Sequence, residues 1–322
     1  MNRYRIFHVT QFEYDGPVSE SYNELHLRPR QDDEQTCLSF RLSTNPAARA
    51  TSHTDAMGNW VHRFNVLAEH RSLRVESDSV VLVHQPRALP ENGIKLAELD
   101  SRADELDEFY DLLAPTEYVP HADAVRDLIA EAERASGGAV SGFARAAIET
   151  IHERFRYEKG ATHVQSSIGD VLTTGAGVCQ DFAHLLLAVM RMRGLPARYV
   201  SGYLVPRRTA EPGASIEEVV GGQASHAWAE AYLPGTGWVG LDPTLGCAVS
   251  QQHVRVAYGR DYGDVPPVRG VYKGHAGQRL SVDVGVRPAL DSEGWERLQE
   301  TAACPVIPPR ASEPQQQEQQ QQ

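Results

Sequence analysis

The sequence predicts an α+β fold: an N-terminal antiparallel β-sandwich, then a unit of helices packed on an antiparallel sheet. Three observations carry this. Residues 1–86 alternate apolar and polar side chains with turn residues between the runs. Residues 103 to 192 carry helical spacing, and from Ala197 onward strand patterns return with hairpin-type breaks.

Taken in order, "RYRIFHVTQFEY" sets Tyr4, Ile6, His8 and Thr10 on one face against Arg5, Phe7, Val9 and Gln11 on the other. "CLSFRLS" and "VHRFNVLAEH" continue the period of two. Gly58-Asn59 in "DAMGNW" marks a turn, and "SLRVESDSVVLVHQP" closes the set. His8, Glu24, His26 and Arg28 are not spaced as a site, so this unit is assigned no chemistry. Residues 87–120, with Pro86 and Pro90 at the start, read as a linker with a short helix in "ADELDEFYDLLA".

Residues 121–290 form the second unit. In "ADAVRDLIAEAERA", Ala124, Val125, Leu128, Ile129 and Ala132 recur at helical spacing, and "SGG" separates this helix from "SGFARAAIETIHERFRY". "ARYVSGYLV", "HAWAEAYLP", "GWVGLDPT", "HVRVAYGRDYG" and "QRLSVDVGVRP" then read as strands. Residues 291–322, ending in "EPQQQEQQQQ", read as a disordered tail.

Composition narrows the function. The 322-residue chain is 41% hydrophobic, enough for a sizeable core, and its net charge of −12 argues against nucleic acid as a partner. No basic run or long apolar stretch points to a membrane. The opening residues lack the apolar core of a secretory signal, so the expectation is a cytoplasmic protein with Cys37, Cys179, Cys247 and Cys304 as free thiols. The four are far apart and form no CxxC pair. No metal and no cofactor are expected. "GAG" before a helix is too incomplete for a dinucleotide loop.

An isolated cysteine beside apolar residues is most often a small buried hydrophobe. Cys179 differs in placement. It begins a helix whose apolar face holds Val178, Phe182, Leu185, Leu186 and Val189, and Gly194 and Pro196 end that helix. Unpaired N–H groups and the positive dipole end favour a negative charge there, and can also donate to an oxyanion beside the sulfur. "SHAWAEAYLPGTGWVGLDPT" puts His226 on one strand and Asp242 at the end of the next, with "PGTG" as the turn. Antiparallel pairing brings the two near one level, with a small offset. A cysteine, a histidine to take its proton and a carboxylate to orient the histidine make a nucleophilic triad. His184, rotated roughly 140° from Cys179 around the helix, is expected to pack or cap. Asp181 and Cys247 read as structural, and Trp228 and Trp238 as sheet core.

"GVCQDFAHLLLAVMRMRGLPARYVSGY", "SHAWAEAYLPGTGWVGLDPT" and "GRDYGDVPPVRGVYKG", in that order, resemble the bacterial transglutaminase-like superfamily, whose members are generally described as cysteine proteases. The β-rich start resembles the N-terminal domain of the bacterial members, so the likeness spans residues 1 to about 290. The resemblance implies a papain-like core, with Cys179 as nucleophile, His226 as base and Asp242 as orienting carboxylate. In related proteins a tryptophan or glutamine upstream of the cysteine completes the oxyanion hole. Gln165 stands at the matching place in the sequence, where the resemblance implies that its side-chain N–H joins the Cys179 backbone N–H in holding the oxyanion, and a solvent-facing loop glutamine is the other reading. Such a site makes a thioester from an amide-bearing peptide. Water then gives hydrolysis, the expected outcome, and an amine gives transamidation. A non-catalytic scaffold of the same fold would be marked by a missing triad member, and all three are present.

Overall fold

The computed structural model describes residues 1–205 and 225–289. The expected tail and Cys304 lie outside the described residues.

Strand β1 (Asn2–Leu25) organises the first sheet, followed by β2 (Gln35–Asn45), β3 (Thr51–Thr54), β4 (Trp60–Val66) and β5 (His70–Val83). Tyr4, Ile6, His8 and Thr10 are all buried, so the period of two in the opening residues does select the inner face. β1 is long enough to serve two lobes. Its first half pairs with β5 from Asn2–Val83 to Glu13–Ser72, and its second half with β4 from Ser21–Val66 to Leu25–His62. The sheet curls so that Phe12, Leu73 and Val75 from one lobe meet Leu25, Phe64 and Val66 from the other in a shared core. All of its pairings are antiparallel.

This sheet is not built from the first 86 residues alone. The segments Val268–Lys273 and Gln278–Pro288, placed in the second unit by their sequence position, both pair with β1. The latter runs alongside it from Tyr4–Pro288 to Tyr14–Gln278. The alternation of Leu280, Val282, Val284 and Val286 specifies a face of a strand and not the sheet it joins.

Between the units, "ADELDEFYDLLA" forms the four-residue helix α1 (Ala103–Leu106) between tight 3-10 turns, with a kink at Phe109. Leu89, Leu96, Leu99, Leu106 and Leu112 are buried, which anchors the segment along its length.

The second unit packs α2 (Val125–Ala135) and α3 (Val140–Arg154) around the central helix. The short strand β6 (Arg156–Tyr157), helix α4 (Ile168–Thr174) and strand β7 (Ala176–Gly177) lead into that helix, α5 (Cys179–Met192). α5 is apolar nearly all round because it is enclosed, with Phe182, Leu185, Leu186, Leu187 and Met190 each no more than 1% exposed. Gly194 ends it with φ of +85°, a conformation that costs glycine little. The Leu195 N–H reaches back to the Met190 carbonyl at 2.9 Å. The sheet follows as β8 (Ala197–Leu204), β9 (Ser225–Leu233), β10 (Gly237–Asp242), β11 (Cys247–Ala248) and β12 (His253–Gly259), in the spatial order β11-β10-β9-β8-β12. Val268–Lys273 and Gln278–Pro288 become β13 and β14.

Polar side chains join the two units along β12. Gln35, fully buried, accepts the Arg255 N–H at 2.8 Å and donates to the Arg255 carbonyl at 2.8 Å, as a neighbouring strand would. Asn59 does the same for Tyr258, accepting its N–H and donating to its carbonyl at 2.7 Å each. Backbone groups along β12 that β8 leaves unpaired are thereby satisfied.

Candidate active site

Cys179 occupies the first turn of α5 and is half-buried. The turn is held by Asp181. Its Oδ2 accepts the Val178 N–H at 2.8 Å and the Thr162 hydroxyl at 2.5 Å. Burial raises the Asp181 carboxyl, and those two donors oppose the rise. The parallel pairing of β6 with β7 brings Tyr157 alongside the residues just before the thiol. His184 caps as expected, its Nε2 accepting the Tyr262 N–H at 3.2 Å.

His226 and Asp242 meet as the hairpin demands. β9 and β10 pair from Leu233–Gly237 to Ala229–Leu241, so continuing the ladder sets Asp242 level with Trp228, two residues from His226. That diagonal lies within side-chain reach on one face of a sheet. His226 Nε2 is 2.7 Å from Asp242 Oδ2, and the Cys179 thiol lies close enough to the His226 ring to act with Asp242 in favouring its charged form. With Nε2 committed to the carboxylate, Nδ1 is the ring nitrogen left for the thiol. The structure thus brings Cys179, His226 and Asp242 into one connected set.

Asp242 is completely buried and each oxygen takes two donors. Oδ1 accepts the Thr244 and Leu245 N–H groups at 2.9 and 3.1 Å. Oδ2 accepts His226, and at 3.0 Å the Nε2 of His253. Burial alone would raise this carboxyl, but the two histidines hold it well below the usual carboxylate range. Burial also disfavours a charged His226. The Asp242 charge and hydrogen bond, with Cys179 behind them, outweigh it and push His226 up to about 10.

A raised histidine stabilises the fold fully below its unfolded value near 6.5, and that contribution is lost as pH rises toward about 10. Asp242 acts in the opposite sense, contributing above the ordinary carboxylate range and losing its effect as pH falls. Urea midpoints measured across this range should therefore show the wild type losing stability against His226→Gln between pH 6.5 and 10. A constant difference would contradict the pairing.

Gln165 lies on the loop before α4 with its side chain exposed. The loop is tied to the start of α5, since Gln180 Nε2 donates to the Val164 carbonyl at 3.0 Å. Trp228 is fully buried. Trp238 is half-buried under the Arg198 guanidinium, 4.2 Å from its ring. Cys247 is disulfide-bonded, which corrects the expectation of four free thiols. The described free cysteines are Cys37 and Cys179. Spacing gives a tertiary cross-link no signature.

His253 was not among the residues singled out from the sequence. Its signal there is only a histidine after the polar turn "SQQ" at a strand start. With His226 and Asp242 it forms the one group of three possible metal ligands among the described residues, their ligating atoms within 4.8 Å of one another. The two N–H···O contacts to Asp242 bring those atoms together, and a cation would have to displace both.

Comparison with known proteins places this geometry. Residues 4–82 match the bacterial transglutaminase-like N-terminal region, and residues 127–243 the transglutaminase-like superfamily. An uncharacterized protein of Mycobacterium leprae is 38% identical over 291 residues, 89% of this chain and 99% of that one. A protein-glutamine gamma-glutamyltransferase of Pseudomonas aeruginosa is 29% identical over 161 residues, 49% of this chain and 22% of that one. The crystal structure of a proposed cysteine protease from Cytophaga hutchinsonii shares the fold at a TM-score of 0.68 and 21% identity, covering 90% of this chain and 92% of that one. The chain belongs to the transglutaminase-like superfamily, which covers cysteine protease and transglutaminase activities. No helix among the described residues is long and apolar enough to cross a membrane.

Proposed function

We propose that the protein is a thiol-dependent amide hydrolase acting on peptide or isopeptide-type bonds. The observation that supports this best is the connected set of Cys179 at a helix start, His226 and the buried Asp242. His226 takes the thiol proton, and Cys179 Sγ attacks the amide carbonyl carbon. The carbon–nitrogen bond breaks as His226 returns the proton to the departing amine. Water, activated by the same histidine, then opens the thioester to a carboxylic acid and the free thiol. Asp242 holds the ring and stabilises the imidazolium. The Cys179 N–H, without an intrahelical partner at this position, is one oxyanion donor, and Gln165 is assigned as the second.

The substrate in this reading is an amide-bearing peptide rather than nucleic acid or membrane lipid, in keeping with the charge of −12. No cofactor or metal takes part. Cytoplasmic placement belongs to the same proposal. Cell fractionation tests it.

Transamidation is the second reading, favoured by the name of the Pseudomonas aeruginosa relative. A library of peptides and glutamine amides incubated with the protein, with and without excess cadaverine, distinguishes them by mass. Cleavage or deamidation is the expected product in both samples. Predominant amine incorporation would replace hydrolase by transferase.

A further inference from the structure

The geometry points to His253 as a positioning residue, held in a single neutral tautomer to donate from Nε2 to Asp242 and so aim that carboxylate at His226. The inference rests on reading Cys179, His226 and Asp242 as the reacting set.

The tautomer follows from the partners of the ring. The Ser250 N–H can only donate, and it lies 3.2 Å from His253 Nδ1. Nδ1 is therefore an acceptor and bears no proton. Nε2 must carry the hydrogen, and it faces Asp242 Oδ2 at 3.0 Å, where an acceptor is required. The backbone enforces this placement. β12 lies at the opposite end of the sheet order from β11 and β10, and the turn from Ser250 to Gln252 swings His253 back to the end of β10. The His253 N–H bonds the Ser250 carbonyl at 3.1 Å, and the ring stands edge-on to Trp228 with centroids 5.1 Å apart. No part of the ring reaches solvent.

The two histidines on Asp242 Oδ2 consequently differ in kind. His226 can take a second proton because its other nitrogen faces Cys179. His253 cannot do so without losing the Ser250 bond. Burial also pushes His253 down, and Arg255 and His226 repel a charge there, while Asp242 is the one group favouring it. His253 thus supplies a fixed dipole that shares the carboxylate charge and prevents Oδ2 from rotating away from His226. A purely structural histidine would leave the titration of His226 unchanged.

Ring 15N spectra of the full chain test this without any turnover. In the wild type, His253 should show an unprotonated Nδ1 and a protonated Nε2 throughout about pH 5 to 9. In a Cys179→Ala background, where His226 titrates without the thiol, His253→Leu removes the donor and concentrates the Asp242 charge on His226. Its midpoint should rise by about one pH unit. His253→Gln, whose amide N–H can replace Nε2, should restore the parent value. A protonated Nδ1 on His253, or equal His226 midpoints in the Leu and Gln variants, would overturn the inference. The wild-type spectrum keeps the test decisive if a variant fails to fold. These spectra and the amide-library assay read different properties, so failure of the positioning role is distinguishable from failure of the proposed function.

Discussion

Cys179→Ala should lower turnover by about 10⁴-fold or more on any amide the library identifies, while substrate binding and the unfolding midpoint stay near wild type. In the proposed mechanism the sulfur forms the thioester, and among the described residues no other thiol stands beside His226. His226→Ala should cost nearly as much, since thiol and leaving amine lose their shared proton carrier. Asp242→Asn should leave more activity, with a loss of about 10² to 10⁴. The reason is a collision of donors. Asp242 receives four N–H groups, two on each oxygen. Whichever way an asparagine amide turns, its NH₂ faces either two backbone N–H groups or two ring N–H groups, and in the second orientation His226 is forced toward the wrong tautomer. Single-turnover kinetics with the three variants checks this order. A silent Asp242→Asn would contradict the role assigned to the carboxylate.

Glu230→Ala should produce the largest loss of stability, about 3–5 kcal/mol by urea unfolding. Glu230 lies four residues along β9 from His226 and is 3% exposed. It accepts from Arg198 at 2.6 Å and from Arg255 at 2.7 Å, and Arg255 reaches on to Glu34 in the first unit. Burial would raise its carboxyl, yet the two guanidinium groups hold it below its ordinary value. Removing the carboxylate leaves the buried Arg255 and the half-buried Arg198 against one remaining acid, Glu34. Adding Arg255→Met should recover part of the loss, because the uncompensated charge is then gone. A loss below about 1 kcal/mol would mean that water relieves the site.

What could be read from the sequence depended on how local the cause was. The inner face of β1 is visible in Tyr4, Ile6, His8 and Thr10 because a strand alternates regardless of context. The approach of His226 to Asp242 was readable because one short turn, Pro234–Thr236, sets the register of their hairpin. The pairing of β13 and β14 with β1 was not, since period-two patterns name no partner. "ADELDEFYDLLA" was read as one helix, yet Leu106, Phe109 and Leu112 recur every third residue, a 3-10 period, and the segment adopts such turns. His253 escaped notice because its meaning lies in Ser250 and Asp242, which only the folded chain assembles. Gln165 was assigned by its position before the cysteine alone. Its exposed side chain requires bound substrate to define any donor role.

The central claim is that His226 activates Cys179. Iodoacetamide labelling at neutral pH, mapped by mass spectrometry, tests it most directly, with half-buried Cys37 as the internal reference. Burial pushes the Cys37 thiol up. Cys179 should be alkylated well ahead of Cys37, and His226→Gln should remove most of that advantage. Equal labelling of the two cysteines in the wild type, or a Cys179 rate unchanged by His226→Gln, would contradict the account.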